Sequence, residues 1–181
     1  MPRNRRPRDA DQKRGEIVAA AQRLFRDLGY DKASMARIAD GAGVTANTVY
    51  WYFRSKDEVL IAVLDEDFSA ALTRYEELRN CSLVERLHWV VRRLRDIHTL
   101  VDTVHARASL SPAIAEWHDR FHATTDRMLA EELRASGAPE STVAAAAKNI
   151  TFVIEALLTH PQDETTERTM LELLLRSAVP A

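Results

Sequence analysis

The sequence predicts an all-α fold: a three-helix head joined to a larger antiparallel helical-bundle body, about nine helices in total. Apolar residues recur at three- and four-residue spacing in one segment after another, the signature of helices with one buried face. Alternating runs of β-branched residues are absent, and most prolines fall near the ends of those segments, so strands find no support. With 181 residues, 46% of them apolar and 29% charged, the chain is long enough to bury a core and is not of the disordered class.

Residues 1–10 hold Arg3, Arg5, Arg6 and Arg8 with two prolines and almost nothing apolar. They are expected as a disordered basic arm, serving either to solubilise or to contact a polyanion. Residues 11–56 form the expected head. Ile17, Ala20, Ala21, Leu24, Phe25 and Leu28 make one stripe on a first helix that Gly29 ends. Ser34 caps a second, two-turn helix whose Met35, Ile38, Ala39 and Ala42 face inward, with Gly41 and Gly43 at its end. Thr45 caps a third, in which Val49 and Phe53 turn to the core.

Residues 57–181 form the expected body. Ser55-Lys56-Asp57-Glu58 has the spacing of a capping box and opens a long fourth helix through Leu78. Ser82-Leu83-Val84-Glu85 repeats that spacing and opens a fifth helix, expected to continue towards Ala108. Ser111-Pro112 starts the next, which Ser136-Gly137-Ala138-Pro139 breaks. Two more helices, 141–159 and 164–178, are separated by His160-Pro161.

Net charge is −2, but it is unevenly spread. Residues 1–56 carry 12 Lys or Arg against 6 Asp or Glu, and the remainder carries 13 against 21. A head at +6 on a body at −8 points the head alone towards a polyanion. Cys81 is the single cysteine, so an intrachain disulfide is excluded. The start of the chain lacks a charged region followed by an apolar one, and the most apolar stretch, 143–158, is interrupted by Lys148, Asn149 and Glu155. A cytoplasmic location without a membrane partner is therefore expected.

Two short helices joined by a glycine turn, the second exposing polar and aromatic groups, have the form of a helix-turn-helix. Asn47 can pair with adenine N6 and N7, and Ala46 and Thr48 can touch a thymine methyl. Tyr50, Tyr52 and Lys56 can position phosphates, Lys56 from the amide-rich first turn of the fourth helix. Ser34, Met35, Thr45 and Trp51 complete the expected DNA-facing set. The alternative is a plain three-helix packing unit with Tyr50 or Trp51 as core aromatics.

The run Ile38-Ala39-Asp40-Gly41-Ala42-Gly43-Val44-Thr45-Ala46-Asn47-Thr48-Val49-Tyr50-Trp51-Tyr52-Phe53-Arg54-Ser55-Lys56-Asp57-Glu58-Val59-Leu60 resembles the DNA-binding domain of the TetR family of transcriptional regulators. That family's pattern is approximately I-A-x-x-A-G-V-S-x-x-T-h-Y-x-[HY]-F-x-x-K-x-x-L, with h apolar. Leu24-Phe25 and Gly29-Tyr30 extend the likeness, which covers residues 13–62. Ala46 stands where a Lys or polar residue is frequent, and Tyr52 where His is common, which shifts the expected phosphate load to Tyr50, Tyr52, Lys56 and the arm.

The resemblance implies a dimeric regulator, by family default a repressor, that binds a palindromic operator and releases it when a small-molecule effector occupies the C-terminal domain. It also implies that the last two helices pair with their mates in a second subunit. Ala147, Ile150, Ile154, Leu157, Leu158, Leu171, Leu174 and Leu175 are the expected interface, on helices too apolar all round to stand exposed; a purely intrachain core is the alternative. Phe68, Trp89, His98, Trp117, Phe121 and Phe152 combine bulk with an occasional polar handle and are the expected effector lining, each equally readable as plain core.

His118 and His122, and His98, Asp102 and His105, share helix faces but lack a Cys or Glu signature, so no metal and no cofactor is expected. No nucleophile-base pair or phosphate loop points to an enzyme. A second reading is a ligand-independent, DNA-architectural helical dimer. Effector, operator and regulated genes are not legible.

Overall fold

The computed structural model describes residues 7–179. Among them lie nine α-helices and no strand: α1 (Pro7–Leu28), α2 (Met35–Gly41), α3 (Ala46–Tyr52), α4 (Lys56–Glu77), α5 (Leu83–Asp96), α6 (His98–Ala108), α7 (Pro112–Ala135), α8 (Val143–Thr159) and α9 (Glu164–Ala178). The all-α prediction is met. Of the expected basic arm, residues 1–6 lie outside the described residues. Residues 7–10 open α1 instead of remaining irregular, with proline at the first helical position, where its missing N–H has no partner to lose.

The helices form two compact units. The first comprises the described residues up to Leu72 together with Thr99–Ala115; the second comprises Thr73–His98 and the described residues from Glu116 onward. This division differs from the sequence boundary at 56/57, which coincides with the first residue of α4.

In the first unit α1 packs on α2 and α2 on α3. Ile17, Val18, Ala21 and Phe25 of α1, Ile38 and Ala39 of α2, Val49 of α3, the adjoining Phe53, and Val59, Leu60 and Val63 of α4 are buried. The two turn glycines do different work. Gly43 has φ +64°, and nothing lies within 4 Å of where a Cβ would stand, so its role is conformational. Gly41 is helical, and a Cβ there would stand 3.5 Å from the Ala20 Cβ, at ordinary van der Waals distance, so α2 packs directly on α1 at this point.

The second unit is built on α5, α8 and α9, which pack on one another. Leu87 and Val91, Leu129 and Leu133, Val143, Ala147, Ile150, Ile154 and Leu157, and Leu171 and Ala178 form its core. Buried among these helices is a charged cluster. Glu167 accepts from Arg95 Nη2 and lies 3.4 Å from His88 Nε2, so a carboxylate removed from water keeps its cationic and hydrogen-bonding partners. The helix expected to run from 83 to 108 is two: α5 stops at Asp96, Ile97 takes φ −113° and ψ 22°, and α6 restarts at His98. The β-branched Ile97 leaves the helical basin there, and periodicity alone carries no signal for that break.

Candidate nucleic-acid interface

α3 is only seven residues long, too short to be stable in isolation, so its position depends on caps and buried anchors. Thr45 supplies the cap: its Oγ1 accepts from the Thr48 amide at 3.2 Å and pairs with the Thr48 hydroxyl at 2.9 Å. Val49 and the C-capping Phe53 are the anchors, with Arg14 of α1 over the Phe53 ring at 5.0 Å. Ser34 caps α2 in the same way, accepting from the Arg37 amide at 3.2 Å.

With Val49 inward, the opposite face of α3 carries Asn47, Tyr50 and Trp51. Asn47 is exposed, Tyr50 is 52% exposed and Trp51 74%. Trp51 meets Tyr52 edge to face at 4.6 Å and is otherwise open. Ser34 and Thr45 are exposed, while Ala46, Thr48 and Tyr52 are half-buried. Met35 is buried, so within the expected DNA-facing set it is an anchor of α2 and not a contact residue. Arg37, on the exposed side of α2, is absent from the set the sequence suggests; its Nη1 donates to the Lys32 carbonyl at 3.1 Å. Its place one turn after the Ser34 cap is the available signal.

Lys56 is also differently placed from expectation. Its Nζ donates to the Tyr30 carbonyl at 2.8 Å and stands 4.0 Å from the centre of the Tyr30 ring. Burial lowers its pKa below the ordinary lysine value. The ammonium thus ties the start of α4 to the loop between α1 and α2. Next to it, Asp57 gathers the same region. Arg107 of α6 donates to its two oxygens from Nε at 2.8 Å and Nη2 at 2.9 Å, the Tyr30 hydroxyl donates to Oδ1, and Ser111 adds a hydrogen bond. Arg107 lies 4.7 Å from the Tyr30 ring centre, so that ring has two cations on it. Ser55 and Glu58 cap α4: Ser55 Oγ accepts from the Glu58 amide at 3.2 Å, and Glu58 reaches back to the Arg54 amide at 2.7 Å, one residue before the cap.

In the second unit the expected interface residues Ala147, Ile150, Ile154, Leu157 and Leu171 are buried in the chain's own core, and Leu158, Leu174 and Leu175 are half-buried. The large apolar residues that α8 and α9 leave in solvent are Phe152, 56% exposed, and Leu173, 57%. Phe152 and the exposed His98 therefore do not line an interior, contrary to the effector-lining expectation. Trp117 is buried and stacks on Phe121 at 5.4 Å and 16°; Phe68 and Trp89 are half-buried. His118 and His122 face each other with Nε2 atoms 3.0 Å apart, and Glu155 is 3.3 Å from His122. Among the described residues no group of three or more His, Cys, Asp or Glu side chains is placed to hold a metal ion, and no helix is long and apolar enough to cross a membrane.

A trihelical unit with a capped, outward-facing third helix defines the helix-turn-helix class. The family model described as bacterial regulatory proteins, TetR family, matches residues 17–63. That match and the motif agree over the same segment. It is 48% identical over 61 residues to the HTH-type transcriptional activator FasR of Mycolicibacterium smegmatis, covering 34% of this chain and 27% of that protein's own length. It is 26% identical over 136 residues to the HTH-type transcriptional regulator UidR of Escherichia coli, covering 70% of this chain and 67% of that one. The fold as a whole is like that of Salmonella enterica GusR, with a TM-score of 0.73 at 22% identity over 94% of this chain and 96% of that one.

Proposed function

We propose that the chain is a transcriptional regulator that binds double-stranded DNA in the cytoplasm, acting by binding and not by turnover. The observation that carries this reading is the outward face of α3. A helix fixed from behind by Val49 and Phe53 holds the Asn47 amide and a 74% exposed tryptophan in solvent. Such surface is unfavourable on an isolated fold and suits a major groove. The basic head is the part of the chain suited to phosphates.

Homodimerisation through α8 and α9 places one α3 on each half of a palindromic operator, half-sites being one DNA turn, about 34 Å, apart. The exposed Phe152 and Leu173 supply the apolar contact, and the half-buried Leu158, Leu174 and Leu175 border it. Repression is relieved when a small-molecule effector in the C-terminal domain favours an arrangement in which the two α3 helices no longer match that spacing. Trp117 and Phe121 are the aromatic pair best suited to line the effector site.

Selection of bound sequences from a random duplex library, with Asn47→Ala and Tyr50→Phe in parallel, tests this. The reading predicts an inverted repeat that the variants weaken or change. Salt-sensitive binding without sequence preference gives the architectural dimer instead, and absence of binding at low salt overturns the DNA reading.

A further inference from the structure

Resting on the DNA reading above, the chemistry of α3 narrows the sequence it accepts. In the major groove guanine presents O6 and N7, the pair that an Arg or Lys side chain takes. Ala46–Tyr52 contains neither, nor any Asp or Glu to accept from cytosine N4. The neighbouring cations lie outside α3. Lys56 is held by the Tyr30 carbonyl, Arg37 donates to the Lys32 carbonyl from α2, and Arg54 lies beyond the C-cap, away from the N-terminal half that meets base edges first.

What α3 does present is the Asn47 amide, the Tyr50 hydroxyl, expected above on phosphates, and apolar surface. The Asn47 side chain is exposed, and its donor and acceptor match adenine N6 and N7. The Thr48 hydroxyl pairs with that of Thr45, and its methyl group adds apolar chemistry beside it. Trp51 adds an indole face 74% exposed. The apolar group that a base pair offers in the major groove is the thymine C5-methyl.

We infer that α3 reads A·T pairs, with Asn47 on the adenine edge and the neighbouring Thr48 methyl and Trp51 indole against thymine methyls. Replacing thymine by uracil in the half-site of a selected duplex deletes that methyl and leaves every hydrogen-bonding group of the pair in place. Titrating the full chain against both duplexes is expected to show a loss of affinity on the order of tenfold per half-site. Trp51→Ala is expected to reduce that uracil penalty, and Asn47→Ala to lose the preference for adenine at one position. Both residues are exposed, so the variants should keep the helical content and melting temperature of the parent, which circular dichroism checks.

Guanine or cytosine at every selected position under α3 overturns the inference while leaving the regulator reading intact. A·T enrichment with affinity for the uracil duplex within about twofold overturns the methyl contact and leaves the preference to the Asn47 amide or to DNA shape, which Asn47→Ala separates. A library without any enriched sequence overturns the parent reading itself.

Discussion

Asp57 illustrates how much one carboxylate can organise. Burial pushes its pKa up, but the hydrogen bonds from Arg107, Tyr30 and Ser111 outweigh burial and hold it below the ordinary aspartate value. The same contacts push the Tyr30 hydroxyl up, burial first and the Asp57 hydrogen bond second. A carboxyl depressed in the folded state stabilises the fold above its unfolded pKa, about 3.9, and that contribution is lost as pH falls through the lower folded value. Asp57→Asn is therefore expected to cost about 2 kcal/mol at pH 7, with the gap to the parent protein closing below about pH 4; denaturant melts at both pH values measure it. A gap that persists at low pH would show that Asp57 acts through its two acceptor oxygens and not by charge. Gly43 makes a second prediction at this scale. With φ +64° and no neighbour in the way of a Cβ, Gly43→Ala should cost about 1 kcal/mol from backbone strain alone, visible as a lower melting temperature.

Helix boundaries show which elements are legible in the sequence and which are not. Ser34, Thr45 and Ser82 announce their helices chemically, and each side chain does accept from the amide three residues on. At Ser82 the box is complete, since Glu85 returns a bond to the Ser82 amide at 2.8 Å. Ser82→Ala should therefore lower stability by about 1 kcal/mol in thermal or urea unfolding. The break at Ile97 has no such chemical marker. Nor does the burial of α8, because a helix apolar on several sides does not say which stripe meets its own chain. For that reason Ile150, Ile154 and Leu157 look like interface in the sequence although they fill the core, and Phe152 looks like pocket although it stands in solvent. The outward face of α3 is more legible: Val49 and Phe53 fix the phase of the helix, and the exposure of Asn47, Tyr50 and Trp51 follows. The role of Lys56 is hidden because its partner, the Tyr30 carbonyl, is 26 residues away in sequence.

For the whole molecule, the proposed regulator needs two copies to reach a two-half operator, and linking the half-sites multiplies affinity without new base contacts. Phe152→Glu, a change in an exposed residue, should give a folded monomer by light scattering and weaken operator binding on the order of a hundredfold or more. A variant that stays dimeric would move the interface elsewhere. The central claim, that α3 is a sequence-reading element, is tested most directly by the ratio of affinities for a selected duplex and its scrambled counterpart near physiological salt. The account predicts a preference on the order of a thousandfold or more, reduced by Asn47→Ala. Equal affinity for the two duplexes would contradict it.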